Sequence, residues 1–211
     1  MMLIRFPAIL APAILVFGLA AAAPALAQAP PAPQAKQKKL PEAPSQLPKV
    51  ERGKNLDFLF GALKAAPDEA SAKHVEARIW AVWVHTSSDT AALLMARAKA
   101  AIDAQQTDVA LKLLDSIIKL RPEYIEAWNR RATLYYMKND YGRSLADIQQ
   151  VLAREPRHFG ALAGLGMIMQ ELGDEKRALD AYRKALAINP HLEKVPDLVK
   201  SLTEKVDGRD I

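Results

Sequence analysis

Residues 169–190, MQELGDEKRALDAYRKALAINP, end in a proline that closes a helix-favouring stretch, and two earlier stretches close in the same way. Pro122, Pro156 and Pro190 follow one another at intervals of 34 residues. A proline disfavours helical geometry in the residue before it, so each of these prolines is expected to end a helix. The spacing therefore predicts a structural unit of 34 residues that occurs three times.

Small residues recur twelve positions apart inside each of these units. The pairs are Ala98 with Ala110, Ala132 with Ser144, and Gly166 with Ala178. Small side chains at facing positions allow two antiparallel helices to approach closely across a short turn. Each unit is therefore predicted to be a pair of antiparallel helices.

The turn inside the unit has a recognisable sequence in two of the three units. Gly173-Asp174 and Asn139-Asp140 each supply a residue suited to left-handed backbone and an acidic residue suited to cap the following helix. The first unit has Gln105-Gln106 at the same place. Its turn is therefore the least well specified of the three.

Large residues complete the pattern, which runs without insertion over residues 91–192. They are Leu94 and Leu114, then Trp128, Tyr135 and Ile148, then Leu162, Met169 and Tyr182, and the first unit has the small Ala101 at the place of Tyr135 and Met169. In this pattern the chain resembles the tetratricopeptide repeat (TPR) family. Four positions depart from it, namely Arg97 and Arg131 for the usual Leu, and Ile117 and Val151 for the usual Ala. The resemblance implies an all-α fold, an α-solenoid of antiparallel helix pairs with TPR units at residues 91–124, 125–158 and 159–192.

The segments on either side of these units are predicted to be adapted repeats. Residues 51–90 are expected to form a degenerate TPR-like helix pair, and residues 193–211 a capping helix with a polar outer face, followed by a tail. Trp80 and Trp83 lie one helical turn apart. We expect both to be core residues that pack against the first full repeat, and an exposed docking patch is the alternative.

The first 27 residues have the features of an export signal. Arg5, an apolar run and the small residues around Leu26 predict a signal peptide over residues 1–27 that is cleaved after Ala27. A transmembrane anchor is the alternative, but three prolines interrupt a run that is barely long enough to span a bilayer. We therefore expect a periplasmic or secreted protein.

Residues 28–50, QAPPAPQAKQKKLPEAPSQLPKV, are predicted to be a disordered Pro/Lys-rich tether, because they contain little that can be buried. Weak contact of its four lysines with a membrane or wall polymer is a second hypothesis. The net charge of the whole chain is +5, but Arg5 and the tether account for most of it, and residues 51–211 carry +1. This charge balance argues against nucleic acid as a partner.

The sequence has no signature of catalysis, cofactor binding or metal binding. The absence of cysteine excludes thiol nucleophiles, disulfides and thiolate metal sites. GALAGLG at residues 160–166 lacks the Gly-Lys-Ser/Thr ending of a phosphate-binding loop and falls inside a predicted helix. His74 and His85 lie eleven residues apart, about 16 Å along a helix, which is too far for one metal ion. We therefore predict no enzyme activity, no cofactor and no metal.

The resemblance to TPR proteins also implies a binding surface, because the first helix of each TPR unit lines a concave groove. Carried over residue by residue, the predicted partner-binding groove comprises Met95, Lys99, Asn129, Arg130, Thr133, Tyr136, Met137, Met167 and Gln170, with Ile102 and Ala163 beside them. Some TPR proteins clamp the carboxylates of a peptide C-terminus, but only Lys99 and Arg130 keep a suitable charge at those positions here. A purely solvated or stacking role is the alternative for each of these side chains.

The repeat, the signal peptide and the missing catalytic motifs together predict a non-catalytic interaction module or adaptor of the bacterial cell envelope. It would bind a peptide or protein segment of unknown identity in the groove. The alternative is a self-assembling structural scaffold whose copies stack through the solenoid ends or through the region of Trp80 and Trp83. The oligomeric state is therefore left open by the sequence.

Overall fold

The structure, a computed structural model, describes residues 49–208, and the regular elements in this part of the chain are nine α-helices. They are α1 (Lys49–Lys64), α2 (Glu69–Val84), α3 (Asp89–Asp103), α4 (Thr107–Leu120), α5 (Ile125–Met137), α6 (Tyr141–Arg154), α7 (Phe159–Glu171), α8 (Glu175–Ile188) and α9 (Val195–Asp207). The predicted signal peptide, the tether up to residue 48 and the last three residues lie outside the described part. No helix within residues 49–208 combines the length and the apolar character needed to cross a membrane.

The three predicted helix pairs are α3–α4, α5–α6 and α7–α8, and the all-α solenoid fold is confirmed. The small residues at the crossing points are buried, as expected: Ala98 and Ala110 are inaccessible to solvent. At the second crossing the Ser144 hydroxyl donates a hydrogen bond of 2.8 Å to the carbonyl of Ala132. This bond allows a polar side chain to occupy the narrowest part of the helix pair.

The turns inside the three units share one conformation despite their different sequences. Gln105, Asn139 and Gly173 have φ angles of 58°, 57° and 76°, all left-handed. Asp140 and Asp174 accept hydrogen bonds from the backbone N–H groups of the next helix, whereas Gln106 makes no side-chain cap. The first turn is thus built without either of the residues that favour it.

Arg131, one of the departures from the family pattern, joins the first and second units. Its guanidinium donates to both carboxylate oxygens of Asp147 at 2.8 and 2.7 Å, and to Asp115 on α4 at 2.6 Å. These hydrogen bonds raise the pKa of Arg131 above its ordinary value. An ion-pair network therefore replaces the apolar contact that Leu would make at this position.

α9 caps the last unit, as predicted. Val195 and Leu202 are buried against the third unit, in one cluster with Tyr182. The exposed residues of α9 are mostly polar, among them Asp197, Lys200 and Glu204. The C-terminal end of the solenoid is therefore closed by a helix with a solvated outer face.

The N-terminal pair α1–α2 occupies a different place from the one expected. Trp83 is buried, which confirms its assignment to the core, but the rings that it contacts outside α1 and α2 lie where the second unit meets the third, and not in the first unit. Its ring stacks on His158 with 4.1 Å between centroids and lies 5.1 Å from the ring of Phe159. The reason is that α2 meets an apolar surface along this edge of the solenoid, formed by Phe159, Ile125, Ile188 and Leu192.

Polar contacts also hold this α1–α2 pair, termed the N-terminal hairpin, to the junctions between units. The Tyr124 hydroxyl donates to the Val84 carbonyl at 2.5 Å, and burial raises the pKa of Tyr124 to about 12. Further along, Asn189 donates to Glu76 at 3.0 Å. The hairpin therefore spans the ends of two junctions that are far apart in sequence.

Candidate protein-binding surface

The predicted groove lies on the first helices of the units. α5 and α7 touch each other, whereas the second helices α4, α6 and α8 make no comparable contact with one another in the described part of the chain. First helices that are closer together than second helices curve the stack, so that the first helices line its inner side. This inner side is the candidate protein-binding surface.

Two exposed methionines and a tyrosine form the middle of this surface. Met137 and Met167 are 66% and 40% exposed, far more than methionines in a core. Tyr136 is partly buried, with its ring 5.8 Å from that of Tyr141. Burial and the negative charge of Glu171 raise the pKa of Tyr136, so its hydroxyl stays protonated at neutral pH. The middle of the surface is thus apolar and adaptable, with one hydroxyl.

Polar groups lie around this apolar middle. Lys99 on α3 is exposed and pairs with Asp103 at 2.6 Å. Thr133 is also exposed, and its hydroxyl donates to the carbonyl of Asn129 at 3.1 Å. The Gln170 side-chain oxygen accepts a hydrogen bond from the Tyr182 hydroxyl at 3.2 Å. The amide N–H groups of Gln170 can still donate to a ligand. These groups can exchange their present contacts for hydrogen bonds to a ligand.

Met95, included in the predicted groove, lies instead in the core. It is 5% exposed and belongs to the cluster that contains Ala91, Ala98 and Ala101 of the same helix. Because these neighbours are small, the flexible Met95 side chain fills the space that they leave. Met95 therefore offers almost no surface to a ligand.

Asn129 and Arg130 are half-buried around a carboxylate that sequence reasoning missed. Glu126 is 1% exposed, and it accepts a hydrogen bond of 3.4 Å from Asn129. Arg130 Nε lies 3.7 Å from the other oxygen of Glu126. The Arg130 guanidinium therefore lies against a buried carboxyl group as well as at the surface.

His158 completes this buried polar cluster. Its Nδ1 accepts the N–H of Ala161 at 3.0 Å and so caps α7, while its Nε2 lies 3.0 Å from Glu126. Since Nδ1 accepts, the proton of the neutral ring is on Nε2, which donates to Glu126. Glu126 and His158 are 32 residues apart, and no local sequence signal links them.

The N-terminal hairpin covers the surface where α5 and α7 begin. The ring of Trp80 comes within 2.9 Å of the point where a β-carbon on Gly160 would lie, so only glycine fits there without a shift. Glu126, at the corresponding place on α5, is also buried, and it contacts His158, on which Trp83 of the hairpin stacks. The open part of the groove therefore lies along the C-terminal halves of α5 and α7, which carry Tyr136, Met137 and Met167.

Within residues 49–208, no three histidine or acidic side chains come together in a way that could hold a metal ion. His74 lies in the second turn of α2, and His85 is the residue that follows the end of this helix. The surface thus consists of apolar, hydroxyl, amide and cationic groups, which suit a peptide or protein segment.

Comparison with known proteins agrees with this architecture. The family model described as tetratricopeptide repeat matches residues 95–146 and 130–193. A TPR repeat-containing protein of Rhizobium etli is 40% identical over 153 residues, which are 72% of this chain and 75% of the relative. The chain belongs to the tetratricopeptide repeat family. TPR domains are protein–protein interaction modules, and the family is generally non-catalytic.

Solved TPR structures show the same fold at low sequence identity. The first TPR domain of Spaghetti (RPAP3), solved with an HSP90 peptide, has a TM-score of 0.54 and 15% identity and covers 58% of this chain and 98% of that domain. The MamA protein has a TM-score of 0.52 and 17% identity and covers 75% of this chain and 86% of MamA. At these identities the likeness extends to the fold alone.

Proposed function

We propose that this TPR protein is a non-catalytic adaptor that binds a peptide or protein segment along the inner side of α3, α5 and α7. The observation that carries the proposal is the exposure of Met137 and Met167, at 66% and 40%, on the surface that also holds Tyr136. Exposed apolar groups rimmed by polar ones are typical of binding sites. Peptide binding by the RPAP3 domain, whose solved form contains an HSP90 peptide, supports this class of ligand.

The place of action that we propose is the bacterial cell envelope, after export and cleavage behind Ala27. The support is the sequence of residues 1–27, with its charged start, apolar run and small residues before the cut. Mass spectrometry of the protein from a periplasmic or secreted fraction should give an N-terminus at Gln28. If only the uncleaved chain were recovered, and only from the cytoplasm, the proposed location in the cell envelope would be wrong.

The groove is tested by exchanging its two exposed methionines for acids. Met137→Glu with Met167→Glu should abolish recovery of a specific partner when the protein is crosslinked in an envelope extract and purified. Ser116→Glu with Ala153→Glu adds the same charge to exposed positions on α4 and α6 and is the matched control. A partner that is retained by the methionine variant, with an unchanged circular dichroism spectrum, would place binding elsewhere.

The self-assembling scaffold remains a less favoured alternative. Stacking through both solenoid ends needs two complementary faces, but α9 covers the end at α8 with a mostly polar outer surface. The region of Trp80 and Trp83 is occupied by contacts within the chain. Sedimentation of the purified protein as a monomer at two concentrations would exclude this alternative.

A further inference from the structure

Each first helix has a side that faces the preceding unit, and four residues along it form what we term the stacking stripe. Counted to the residue that follows the helix, the stripe is Ala127, Arg131, Leu134 and Lys138 for α5 and Ala161, Leu165, Ile168 and Leu172 for α7. For α9 it is Val195, Val199, Leu202 and Val206. In α5 its role is explicit, because Arg131 and Lys138 reach Asp115 and Asp108 of α4 at 2.6 and 3.1 Å. The stacking stripe is therefore the side on which the preceding second helix packs, and in α5 and α7 its last residue, Lys138 or Leu172, stays exposed.

The stacking stripe of α3 has no such helix. It consists of Leu93, Arg97, Ala100 and Ala104, and all four are exposed. Leu93 is 55% exposed, whereas its counterparts Ala127 and Ala161 are 0% and 1% exposed. The difference arises because α2 turns away to the edge near α7 and does not lie along α3 as α4 lies along α5.

Arg97 occupies the position in α3 that Arg131 occupies in α5, but within residues 49–208 it lacks the carboxylate partners that Arg131 has. Arg131 is held by Asp115 on one side and Asp147 on the other. The position in the first unit that corresponds to Asp147 is Leu113, and among the described residues Arg97 has no ion pair or side-chain hydrogen bond. A carboxylate that pairs with Arg97 must therefore come from outside residues 49–208.

The kind of helix that would fit this stripe can be inferred from α4, which packs on the corresponding stripe of α5. On α4 the side toward α5 carries Leu111, Asp115 and Ile118, which places an acid between two apolar residues on one helical face. On α3 the small residues Ala100 and Ala104 take the places of Leu134 and Lys138, so more room is left for apolar side chains of the occupant. An apolar–acid–apolar face is thus complementary to Leu93, Arg97 and Ala100 in both shape and charge.

We propose that the stacking stripe of α3 binds an amphipathic helix of a partner protein, with a carboxylate of that helix on Arg97 and apolar residues on Leu93 and Ala100. A second copy of this chain is the less suitable occupant, because α4, α6 and α8 already have this face covered by α5, α7 and α9. The stripe is separate from the groove around Met137 and Met167. The protein would then hold two partners at once, which goes beyond a single binding groove.

The probe for this site is a fluorescent peptide with the sequence of α4, residues 107–120. Titration with the protein should give a saturable rise in fluorescence anisotropy, and Arg97→Glu should weaken binding at least about tenfold. A peptide with Asp115→Lys should bind the Arg97→Glu protein more tightly than the unmodified protein, because the two charges are exchanged. Lys112→Glu, the same change of charge at an exposed position of α4, is the matched control and should leave binding unchanged.

Three results would overturn the proposal. The first is no binding of the peptide at millimolar concentration, and the second is binding that is the same for the Arg97→Glu protein. The third is a dimer of the protein alone in sedimentation equilibrium that Arg97→Glu dissociates, since the occupant would then be a second copy. Arg97 is exposed, so its substitution should leave the fold intact, and the thermal unfolding curve of the variant verifies this.

Discussion

Gly166 shows how one missing side chain sets the distance between two helices. A β-carbon at this position would lie 2.5 Å from the ring of Tyr182, which is 1% exposed and cannot easily move. We expect Gly166→Ala to lower the free energy of unfolding by about 1 to 3 kcal/mol through overpacking, less a small gain in helix propensity. Urea denaturation measures the change.

A second substitution makes this prediction specific to the contact. In the first unit the same two places hold Ala98 and Leu114, which fit together without strain. In a Tyr182→Leu background, Gly166→Ala should therefore become neutral or stabilising by up to about 1 kcal/mol, the propensity gain alone. An equal cost in both backgrounds would mean that the Tyr182 ring is not the obstacle.

The contacts of Arg131 and the burial of Met95 could not be predicted from the sequence. The sequence identifies Arg131 as a departure from the family pattern, but its partners Asp115 and Asp147 lie 16 residues away on either side, on other helices. Charged residues at such distances are ordinarily solvated, so the pattern gives no reason to pair them. The burial of Met95 was missed because its neighbours Ala91 and Ala101 are smaller than their counterparts Ile125 and Tyr135 in the second unit.

Among the elements, the turn between α3 and α4 offers the clearest gain in stability. Gln105 has left-handed backbone, which costs a residue with a side chain about 1 kcal/mol or more, and Gln106 leaves the start of α4 without a side-chain cap. Gln105→Gly with Gln106→Asp reproduces the turn before α8 and should stabilise the protein by about 1 to 2 kcal/mol. The midpoint of urea unfolding should rise.

The control for this prediction is a β-branched residue at the same place. Gln105→Val should destabilise the protein, because a branched side chain tolerates left-handed backbone poorly. If Gln106→Asp alone had no effect, the first helical turn of α4 would be satisfied by solvent. The two gains add only if the substitutions act independently, Gln105→Gly on the backbone of the turn and Gln106→Asp on the cap of α4.

The course of α3 to α9 follows from the sequence because each boundary has a local signal, a proline, a small-residue pair or an acidic cap. The direction of α2 has none. Four residues connect α2 to α3 and four connect α4 to α5, so the length of the connection does not distinguish a stacked helix from one that turns away. What decides it is the apolar edge at Phe159, Ile125 and Leu192, which exists only after the units have assembled.

For the whole molecule, the N-terminal hairpin changes how a local defect spreads. In a linear stack of repeats, a defect at the N-terminus affects its neighbour in sequence first. Here Trp83→Ala should cost about 3 to 5 kcal/mol and raise amide hydrogen exchange in the hairpin and in the first turn of α7. Exchange in α3 and α4 should change little, since α2 does not lie along them.

Hydrogen-exchange mass spectrometry tests this pattern directly. Leu93→Ala, at an exposed position of α3, is the control and should leave exchange in α7 unaffected. Faster exchange in α3 and α4 with unchanged exchange at Phe159 would show that the hairpin stacks on the first unit in solution. The proposed groove partner would then meet a longer open surface than the one described.

The docking of the hairpin also sets an order of events during synthesis. Glu76 and Asn189, which meet in the folded protein, are 113 residues apart in the chain. At about 5 to 20 residues per second, the ribosome needs roughly 6 to 23 s to make the second after the first. In the first part of this interval, until His158 and Phe159 have been made, Trp80 and Trp83 have only each other and Phe60 as ring partners. This is the period in which a chaperone would have a binding site that the finished protein no longer offers.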